Sequence, residues 1–352
     1  MSAESICAPC CSRFSIPSEA PSLRAPQGRE QRLPYDHVLK GASDAHHVGP
    51  CDERDVRVSI SLAHEGDGRP RPRGFRSVRP SHGLIRRSPV KTVMLTGGTG
   101  RLGQRVLPLL LAQGFRVRAF SRRPGMPAPG LTWIQGDLCS PSAVRQALAG
   151  ADTLLHLATQ PLQAGADVAL ARPLLQALPN SDIQHAIYMS ITGLERMQTA
   201  PYYREKLDIE RRFEDSGVPL TLQRSTQFHE FVMQLVQRLT VSRVTLMPPG
   251  VTLQPVEARA VAHHLAQLTV GEPAGRVRDL AGPETATLEH LAREWHLQQG
   301  RRPALLEVPL PVPLFRAWKH QAAVSPEAQV VGQSWASWLG DAAPEDVRAM
   351  RT

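Results

Sequence analysis

The sequence contains little lysine, few aromatic residues and no long apolar run, and each shortage narrows the class of protein. Lysine occurs at only four positions, and aromatic residues make up 5% of the 352 residues. No window approaches the ~18 apolar residues of a membrane span, and the first thirty residues lack a secretory apolar core. The net charge of +9 comes from arginines spread along the chain, whereas nucleic-acid binders gather charge on one face. We therefore expect a cytoplasmic protein that binds neither membranes nor nucleic acid.

Cysteine is also scarce, with five residues in the whole chain. Cys7 and Cys10 have the spacing of a metal-binding pair, but no second pair follows at the distance that a zinc ribbon requires. The adjacent His263 and His264 point about 100° apart on their predicted helix, so they do not form a metal pair. We therefore expect no metal site.

The composition and the apolar pattern of the chain change twice, near residue 90 and near residue 240. Residues 1–90 contain ten prolines and fourteen Arg or Lys and no sustained apolar pattern, which predicts a disordered basic tail. This segment is either a genuine tail or a stretch upstream of the true start near Val90, and we favour the second interpretation. Regular alternation begins at Lys91 and loosens after residue 240, which predicts a main domain at 91–240 and a smaller C-terminal portion at 241–345.

Strands and helices alternate through the main domain. The predicted strands are 92–96, 115–120, 131–135, 152–157, 185–190 and 218–223, and the predicted helices lie near 101–113, 141–149, 165–178 and 201–216. Alternation with short connections indicates an α/β fold, in which a doubly wound parallel sheet has helices on both faces. The C-terminal portion then lies over the carboxyl edge of the sheet, where it would bind substrate.

The segment TGGTGRLG lies between the first predicted strand and the first predicted helix. Gly97, Gly100 and Gly103 have a spacing in which the first allows a tight turn and the second lets backbone approach a pyrophosphate. The third lets the helix pack closely on the strand. Backbone N–H groups at the start of the helix then face the phosphates. The predicted dinucleotide-binding residues of this loop are Gly97, Gly98, Thr99, Gly100, Arg101, Leu102 and Gly103.

One feature of the following helix does not fit this interpretation. Pro108 lies inside the predicted helix, where proline removes a hydrogen bond and bends the axis. The local sequence offers no compensation for it.

The acidic residue that binds the ribose of NAD about 20 residues after the glycines is missing here. No Asp or Glu occurs between Gly97 and Asp137. The second strand instead ends in Ser121, Arg122 and Arg123, and guanidinium groups suit a 2′-phosphate. This favours NADP(H), with NAD(H) possible, although a solvated arginine pair would give the same pattern.

The segment IQGDL follows the third predicted strand and carries the next site residues. Asp137 and Leu138 are placed beside the adenine of the cofactor. As an alternative, Asp137 caps the helix that begins near residue 141.

Taken together, the segments TGGTGRLG, VRAFSRRP, IQGDL, ADTLLHLAT, YREK and LQRSTQFHEF resemble the NmrA-like branch of atypical short-chain dehydrogenases/reductases over residues 91–345. The resemblance implies a Rossmann domain that binds NAD(P)(H) and a C-terminal substrate region. It also implies that Ala158 and Thr159 border the cofactor ribose. Activity differs among members of this branch, since some resemble reductases or isomerases and others are regulators that bind dinucleotide without turnover.

The segment PYYREKLDIERRF contains a Y-x-x-x-K motif. Helical spacing places Tyr202, Lys206, Ile209 and Phe213 on one face, and a lysine on an apolar stripe needs a partner, which a cofactor ribose would provide. By resemblance to short-chain dehydrogenases, Lys206 also lowers the pKa of Tyr202. Ser190, at the end of the fifth strand, then contacts the substrate carbonyl. The alternative is that Tyr202 only packs and Lys206 contacts only the cofactor.

Other polar and aromatic residues carry weaker signals. His156 lies in an apolar strand and is expected to be a hydrogen-bonded core residue. His229 and Glu230, with Gln227 and Phe228, follow the sixth strand and are expected to face the substrate crevice. The tryptophans of the C-terminal portion would form apolar walls of that crevice or simply pack in the core; they are Trp318, Trp335 and Trp338.

The sequence therefore predicts an NADP(H)-dependent oxidoreductase that reduces a small carbonyl or quinone-like substrate. Two alternatives stay open: a redox sensor that reports on the dinucleotide to a protein partner, and an isomerase or dehydratase. A homodimer is possible, because the tyrosine-bearing helix can pack within the subunit or against a second copy.

Overall fold

The structure is a computed structural model that describes residues 90–161, 163–302 and 304–341. The predicted basic tail, with Cys7 and Cys10, and the last residues of the predicted C-terminal portion lie outside the described residues. Among the helices in these ranges, none combines the length and the apolar character needed to cross a bilayer.

A parallel sheet forms the centre of the described fold. Its main strands are β1 (Thr92–Thr96), β2 (Arg116–Ser121), β3 (Leu131–Gln135), β4 (Thr153–His156), β5 (His185–Ile191) and β6 (Leu220–Ser225). The later strands are β7 (Thr240–Val241), β8 (Val244–Met247), β9 (Thr252–Leu253), β10 (Gly275–Arg276), β11 (Leu280–Ala281), β12 (Ala286–Thr287), β13 (Ala304–Glu307) and β14 (Gln329–Val330).

The strand order of this sheet is β3-β2-β1-β4-β5-β6-β11-β14, with β10 also beside β6, and every pairing is parallel. The order reverses between β1 and β4, which is the point where doubly wound sheets open a ligand-binding crevice. The predicted α/β fold is thus confirmed.

Nine helices connect the strands of the described part. They are α1 (Arg101–Ala112), α2 (Pro141–Leu148), α3 (Ala166–Ala177), α4 (Pro201–Glu214), α5 (His229–Leu239), α6 (Ala258–Val270), α7 (Leu288–Gln298), α8 (Pro313–Lys319) and α9 (Trp335–Asp341). The six predicted strands and four predicted helices of the main domain are confirmed with ends displaced by at most two residues. Pro108 lies inside α1, and the helix nevertheless continues to Ala112.

Helices cover both faces of the sheet. On one face α1 packs against α6 through Val106, Leu110 and Leu265, which are fully buried. On the other face α2, α3 and α4 pack around buried residues such as Leu148 and Leu174. Burial of each such side chain contributes about 1.5–3 kcal/mol. Strand β1 is buried on both faces, which explains why its sequence is a continuous apolar run rather than an alternating one.

A third apolar core lies among α4, α5, α7, α8 and α9. The three C-terminal tryptophans, Trp318, Trp335 and Trp338, are buried in this core. The expectation that they form walls of the substrate crevice is wrong, whereas the packing alternative is confirmed. Their large apolar surfaces are covered by neighbouring helices instead of facing a ligand.

Candidate functional site

A cleft of about 570 Å³ opens at the carboxyl edge of the sheet. Its lining residues run from Gly97 to Gln234, so no described residue after 240 lines it. The role of residues 241–345 in substrate binding therefore stays a prediction. The cleft brings together most of the predicted site residues, namely Gly97, Thr99, Gly100, Arg101, Leu102, Gly103, Ser121, Arg122, Asp137, Leu138, Ala158, Thr159, Ser190, Tyr202 and Lys206. Two predicted residues, Gly98 and Arg123, are not part of the lining.

Three glycines of the loop differ in how much space their surroundings leave for a side chain. Gly97 has φ +72°, and a Cβ there would lie 2.7 Å from the Ala158 backbone N. A Cβ on Gly103 would lie 2.1 Å from the Gly97 carbonyl oxygen, so only glycine lets α1 pack on the loop. Gly100 is different, because its Cβ would meet only the Gly97 oxygen, at 3.1 Å, and otherwise face open space.

The N-terminus of α1 is suited to a pyrophosphate. No side chain caps its first N–H groups, and Gly100 at the cap position lines the cleft. Uncapped N–H groups and the positive end of a helix dipole bind anions. The residues present therefore fit the diphosphate of a dinucleotide.

The end of β2 presents one arginine to the cleft. The Ser121 hydroxyl donates to the Arg123 carbonyl oxygen at 2.9 Å and accepts from the Arg123 backbone N–H at 3.1 Å. This short turn fixes the backbone around Arg122, which lines the cleft, while Arg123 does not. Only the first arginine of the pair is therefore placed where a ribose phosphate would lie.

Asp137 lies at the exposed rim of the cleft beside the buried Leu138. Its Oδ1 accepts from the Cys139 backbone N–H at 2.9 Å. The N-cap of α2 is Ser140, whose hydroxyl accepts from the Ala143 backbone N–H. The alternative that Asp137 caps this helix is therefore wrong, and contact between Asp137 and the adenine stays a prediction.

The opposite end of the cleft is built from side chains that form one polar network. Lys206 Nζ lies 3.1 Å from Asp167 Oδ2, and these side chains are only 5% and 2% exposed. Thr159 Oγ1 donates to the same Asp167 oxygen at 2.7 Å and lies 3.1 Å from the Tyr202 hydroxyl. The partner of Lys206 is thus a buried carboxylate, which the sequence interpretation missed; a ribose is not needed to satisfy it.

Burial and neighbouring groups together shift the pKa values of Lys206 and Tyr202 in this network. Burial by itself would lower the pKa of Lys206, but the oxygens of Tyr188 and Tyr202 and the Asp167 carboxylate outweigh it and raise that pKa above its ordinary value. Burial raises the pKa of Tyr202, and Lys206 opposes this only in part. Lys206 thus acts on the phenol pKa in the expected direction, but burial outweighs it and the net pKa lies above its ordinary value. Tyr202 is a neutral phenol at physiological pH.

Three residues that line the cleft carry buried polar side-chain atoms with no hydrogen-bond partner among the described residues. These atoms are the hydroxyls of Ser190 and Thr226 and the amide of Gln227. An unpaired buried polar group costs about 1–3 kcal/mol. Unpaired polar atoms lie directly behind this part of the cleft wall.

Residues after β6 divide between cleft and core. Gln227 and Phe228 line the cleft, as expected. His229 instead lies 5.2 Å from the Trp338 ring centroid, and Glu230 pairs with Arg105 at 2.7 Å. The expectation that His229 and Glu230 face the crevice is wrong, because the first turn of α5 directs both into the protein.

His156 behaves as the sequence predicts. Its Nδ1 lies 2.7 Å from the Thr96 hydroxyl, and burial, assisted by Lys206, lowers its pKa to about 3. It is a neutral core residue, so the prediction that it is hydrogen-bonded in the core is confirmed.

Similar proteins agree with this geometry. Residues 97–239 match a protein family described as NAD(P)H-binding. Human sterol-4-alpha-carboxylate 3-dehydrogenase is 35% identical over 112 residues, which are 32% of this chain and 28% of that protein. Photosystem II assembly factor Ycf39 of Trieres chinensis is 25% identical over 154 residues, 41% of this chain and 48% of that protein. The chain thus spans less than half the length of these relatives.

Solved structures share the fold over most of their length. The NADPH-dependent quinone oxidoreductase of Escherichia coli, in complex with NADPH, aligns with a TM-score of 0.61 at 19% identity, covering 70% of this chain and 98% of that one. Triphenylmethane reductase of Citrobacter sp., in complex with NADP(H), aligns with a TM-score of 0.53 at 18% identity, covering 74% and 99%. The family match and the solved structures agree that residues 97–239 form an NAD(P)H-binding domain and that the chain has a Rossmann-type fold, in line with the resemblance to the NmrA-like branch.

Proposed function

We propose that this protein is an NADPH-dependent reductase that acts on a small carbonyl or quinone-like substrate. The observation that carries the proposal is the convergence of the glycine loop with Ser190, Tyr202 and Lys206 on one cleft. A dinucleotide held at the loop would extend along the cleft toward these side chains. The quinone and triphenylmethane-dye reductases among the structural neighbours support a reductive activity.

The chain supplies the groups that a carbonyl reduction needs. The bound nicotinamide would supply the hydride. The Ser190 hydroxyl, which is buried and unpaired among the described residues, would donate a hydrogen bond to the carbonyl oxygen. Tyr202, kept neutral by burial, would then give its proton to the oxygen as negative charge develops there.

The apolar side of the cleft favours a substrate with an uncharged body. Met189, Ile191, Tyr203, Phe228 and Phe231 line this side. Apolar walls with a few convergent polar groups are typical of small-molecule sites and exclude water from the reacting centre. A flat ketone or quinone matches this surface better than a heavily hydrated ligand.

The preference for NADPH is proposed from Arg122. This guanidinium lines the cleft at the end of β2, and no acidic residue occurs between Gly97 and Asp137 to accept from a ribose hydroxyl. A fixed positive charge beside the ribose favours the 2′-phosphate of NADPH.

Turnover is the direct test of the reductase. We expect the purified protein to consume NADPH with at least one member of a panel of ketones, aldehydes and quinones. Tyr202→Phe should lower kcat by about a hundredfold, because it removes the proton donor without changing the shape of the ring. Tyr203→Phe is the matched comparison: its hydroxyl has no proton-transfer role in the proposal, so any effect of this change in the cleft wall should fall on KM and not on kcat. Tight NADPH binding with no turnover on the panel would contradict the reductase and favour the dinucleotide sensor.

Cofactor selectivity has a matched pair of variants. Arg122→Glu should weaken NADPH binding by about tenfold or more while leaving NADH binding nearly unchanged. Arg123→Glu makes the same change of charge one residue away, outside the cleft lining, and should have little effect on either. Equal losses for NADPH and NADH in Arg122→Glu would reject the 2′-phosphate assignment.

A further inference from the structure

The side chain of Asp167 is the buried centre of the network at the tyrosine end of the cleft. It lies in the first turn of α3, is 2% exposed, and accepts from Lys206 at 3.1 Å, from Thr159 at 2.7 Å and from the Gln160 backbone N–H at 2.6 Å. Three donors converge on its two oxygens, as expected for a carboxylate that only accepts hydrogen bonds. Asp167 therefore places a fixed negative charge beside the lysine of the Y-x-x-x-K motif.

The hydrogen bonds have a direction that follows from counting protons. An ionised carboxylate only accepts, so the single hydroxyl proton of Thr159 goes to Asp167. Between Thr159 and Tyr202, which are 3.1 Å apart, the donor must then be the Tyr202 hydroxyl. When a substrate oxygen enters, rotation about the phenolic C–O bond turns the same proton to it.

The charges around Tyr202 act on its pKa in opposite directions, since Lys206 lowers it and Asp167 and Glu205 raise it. Lys206 and Glu205 face it from its own helix, and Asp167 faces it from α3. The Lys206 ammonium lies 5.9 Å from the Tyr202 ring centroid, and the Asp167 carboxylate balances its charge. The other titratable groups next to the ion pair are Tyr188 on β5 and His156 on β4, and both are neutral at physiological pH because burial raises the pKa of the first and lowers that of the second.

We propose that Asp167 is a positioning residue of this site: its carboxylate balances the charge of Lys206 and, through Thr159, keeps Tyr202 a neutral phenol. A neutral phenol donates the proton that a carbonyl reduction requires, whereas oxidation of an alcohol requires a phenolate as base. Asp167 thus sets the site for reduction, an inference about direction that rests on the proposed function. Its effect on the phenol itself does not depend on catalysis.

The phenol can be titrated by ultraviolet absorbance in the full chain without substrate or cofactor. The contribution of Tyr202 is the difference between each protein and the same protein carrying Tyr202→Phe. Asp167→Asn leaves the ammonium of Lys206 uncompensated, so the Tyr202 pKa should fall by about one unit or more. An unchanged or higher pKa in a folded Asp167→Asn protein would overturn the proposal.

A second buried ion pair, between Glu210 of α4 and Arg224 of β6, gives the matched control. Glu210 and Arg224 are 3% and 2% exposed and lie outside the cleft lining. Glu210→Gln removes one buried carboxylate from its cation, while Arg224 keeps its pairing with Glu195, and it should leave the Tyr202 titration unchanged. A shift of similar size in both variants would show a general loosening of the helix and would contradict a specific role for Asp167.

The double variant Asp167→Asn/Lys206→Met decides the matter if Asp167→Asn does not fold. It removes both charges and leaves no unpaired ion in the interior. Because the two charges of the pair act on Tyr202 in opposite directions, the phenol should titrate within about half a unit of wild type. A displacement of more than about one unit in the double variant would overturn the proposed balance of charges.

Turnover then separates this inference from the proposed function. In an active enzyme, the high-pH limb where kcat falls should move down by about one unit in Asp167→Asn. Thr159→Val should lower kcat by about tenfold or more, and Thr159→Ser should restore it, because only the hydroxyl is needed. If NADPH binds without turnover, the reductase proposal fails, and the absorbance titration still tests Asp167.

Discussion

The two ends of the cleft differ in whether backbone or side-chain groups form their surface. At the nucleotide end the binding surface is backbone: a glycine turn and the uncapped start of α1. At the tyrosine end it is a network of side chains from three elements, centred on the buried pair of Lys206 and Asp167. The first end depends on space that glycine leaves open, and the second depends on charges that must balance.

Because of this difference, substitutions at the two ends should impair binding and stability in different ways. A backbone surface fails when an added atom closes the space, and the damage then follows the position of that atom. A charge network fails when one member is removed, because the remaining ion stays buried without a partner. The four predictions below test this contrast, from the largest expected effect to the smallest.

The largest effect is expected when one ion of the tyrosine end is removed. Lys206→Met leaves the Asp167 carboxylate buried without its cation, so the free energy of unfolding should fall by about 3–5 kcal/mol. Asp167→Asn/Lys206→Met should recover most of this loss. Urea unfolding of the two proteins and wild type makes the measurement. A loss below about 1 kcal/mol for Lys206→Met would mean that water reaches the carboxylate and that the network is not closed.

At the nucleotide end, two alanine substitutions should separate folding from binding. Gly103→Ala places a Cβ 2.1 Å from the Gly97 carbonyl oxygen, so it should lower the free energy of unfolding by about 2 kcal/mol and abolish tight NADPH binding. Gly100→Ala meets the same oxygen at only 3.1 Å, so stability should change little while NADPH binding weakens. Denaturant unfolding and NADPH fluorescence measure the two quantities. Wild-type NADPH affinity in Gly100→Ala would show that the phosphates do not approach this backbone.

Acid should affect the tyrosine end through His156. Its pKa is about 3 in the folded protein and near 6.5 when unfolded, so the unfolded chain binds the extra proton between these values. Stability is therefore full above pH 6.5 and falls as the pH drops, by about 1.4 kcal/mol per pH unit for this group. His229, with a pKa of about 4, adds a similar slope. His156→Gln should reduce the slope between pH 6 and 5 by the share of one histidine; an unchanged slope would show that His156 is protonated in the fold.

The smallest effects distinguish Asp137, at the rim of the cleft, from Ser140, which lies outside the cleft lining. Ser140→Ala removes the N-cap of α2 and should cost about 1 kcal/mol of stability with no change in NADPH affinity. Asp137→Asn should do the reverse, weakening NADPH binding with little effect on unfolding. Thermal unfolding and fluorescence titration of the two variants provide the comparison. The opposite outcome would mean that Asp137 supports the helix and not the ligand.

The nucleotide end was predictable from the sequence because its information is local. Gly97, Gly100 and Gly103 lie within seven residues, and the backbone around Gly97 and Gly103 leaves no room for a side chain there. Strand β1 is a continuous apolar run, and the helices show their buried faces by spacing. These local patterns also predicted the bounds of the six main strands and of the first four helices, to within two residues.

The tyrosine end was predictable only in part. The lone lysine on an apolar stripe indicated that Lys206 needs a partner, but nothing near it in the chain named Asp167, which lies 39 residues earlier on another helix. In the sequence Asp167 looks like an acid in the first turn of a helix, where acids are common. The raised pKa of Tyr202 was missed for the same reason, since it depends on burial and on the pairing of α3 with α4.

Sequence position was also a poor guide to side-chain orientation for His229, Glu230 and the C-terminal tryptophans. Their position after β6 or in a Pro-rich segment suggested a crevice, and packing of α5 against α7 and of α7 against α9 placed them in the interior. Sequence order locates the edge of the sheet on which a residue lies. It does not tell which way a side chain turns once another helix covers it.

The amino-acid sequence by itself determined the parallel sheet, its crossover helices and the glycine turn, because these follow from backbone sterics and apolar periodicity over short stretches. The tertiary structure decided which ions meet, which hydroxyls remain unpaired and which aromatic rings face the cleft. Those outcomes depend on burial, and burial is a property of elements packed together from distant parts of the chain.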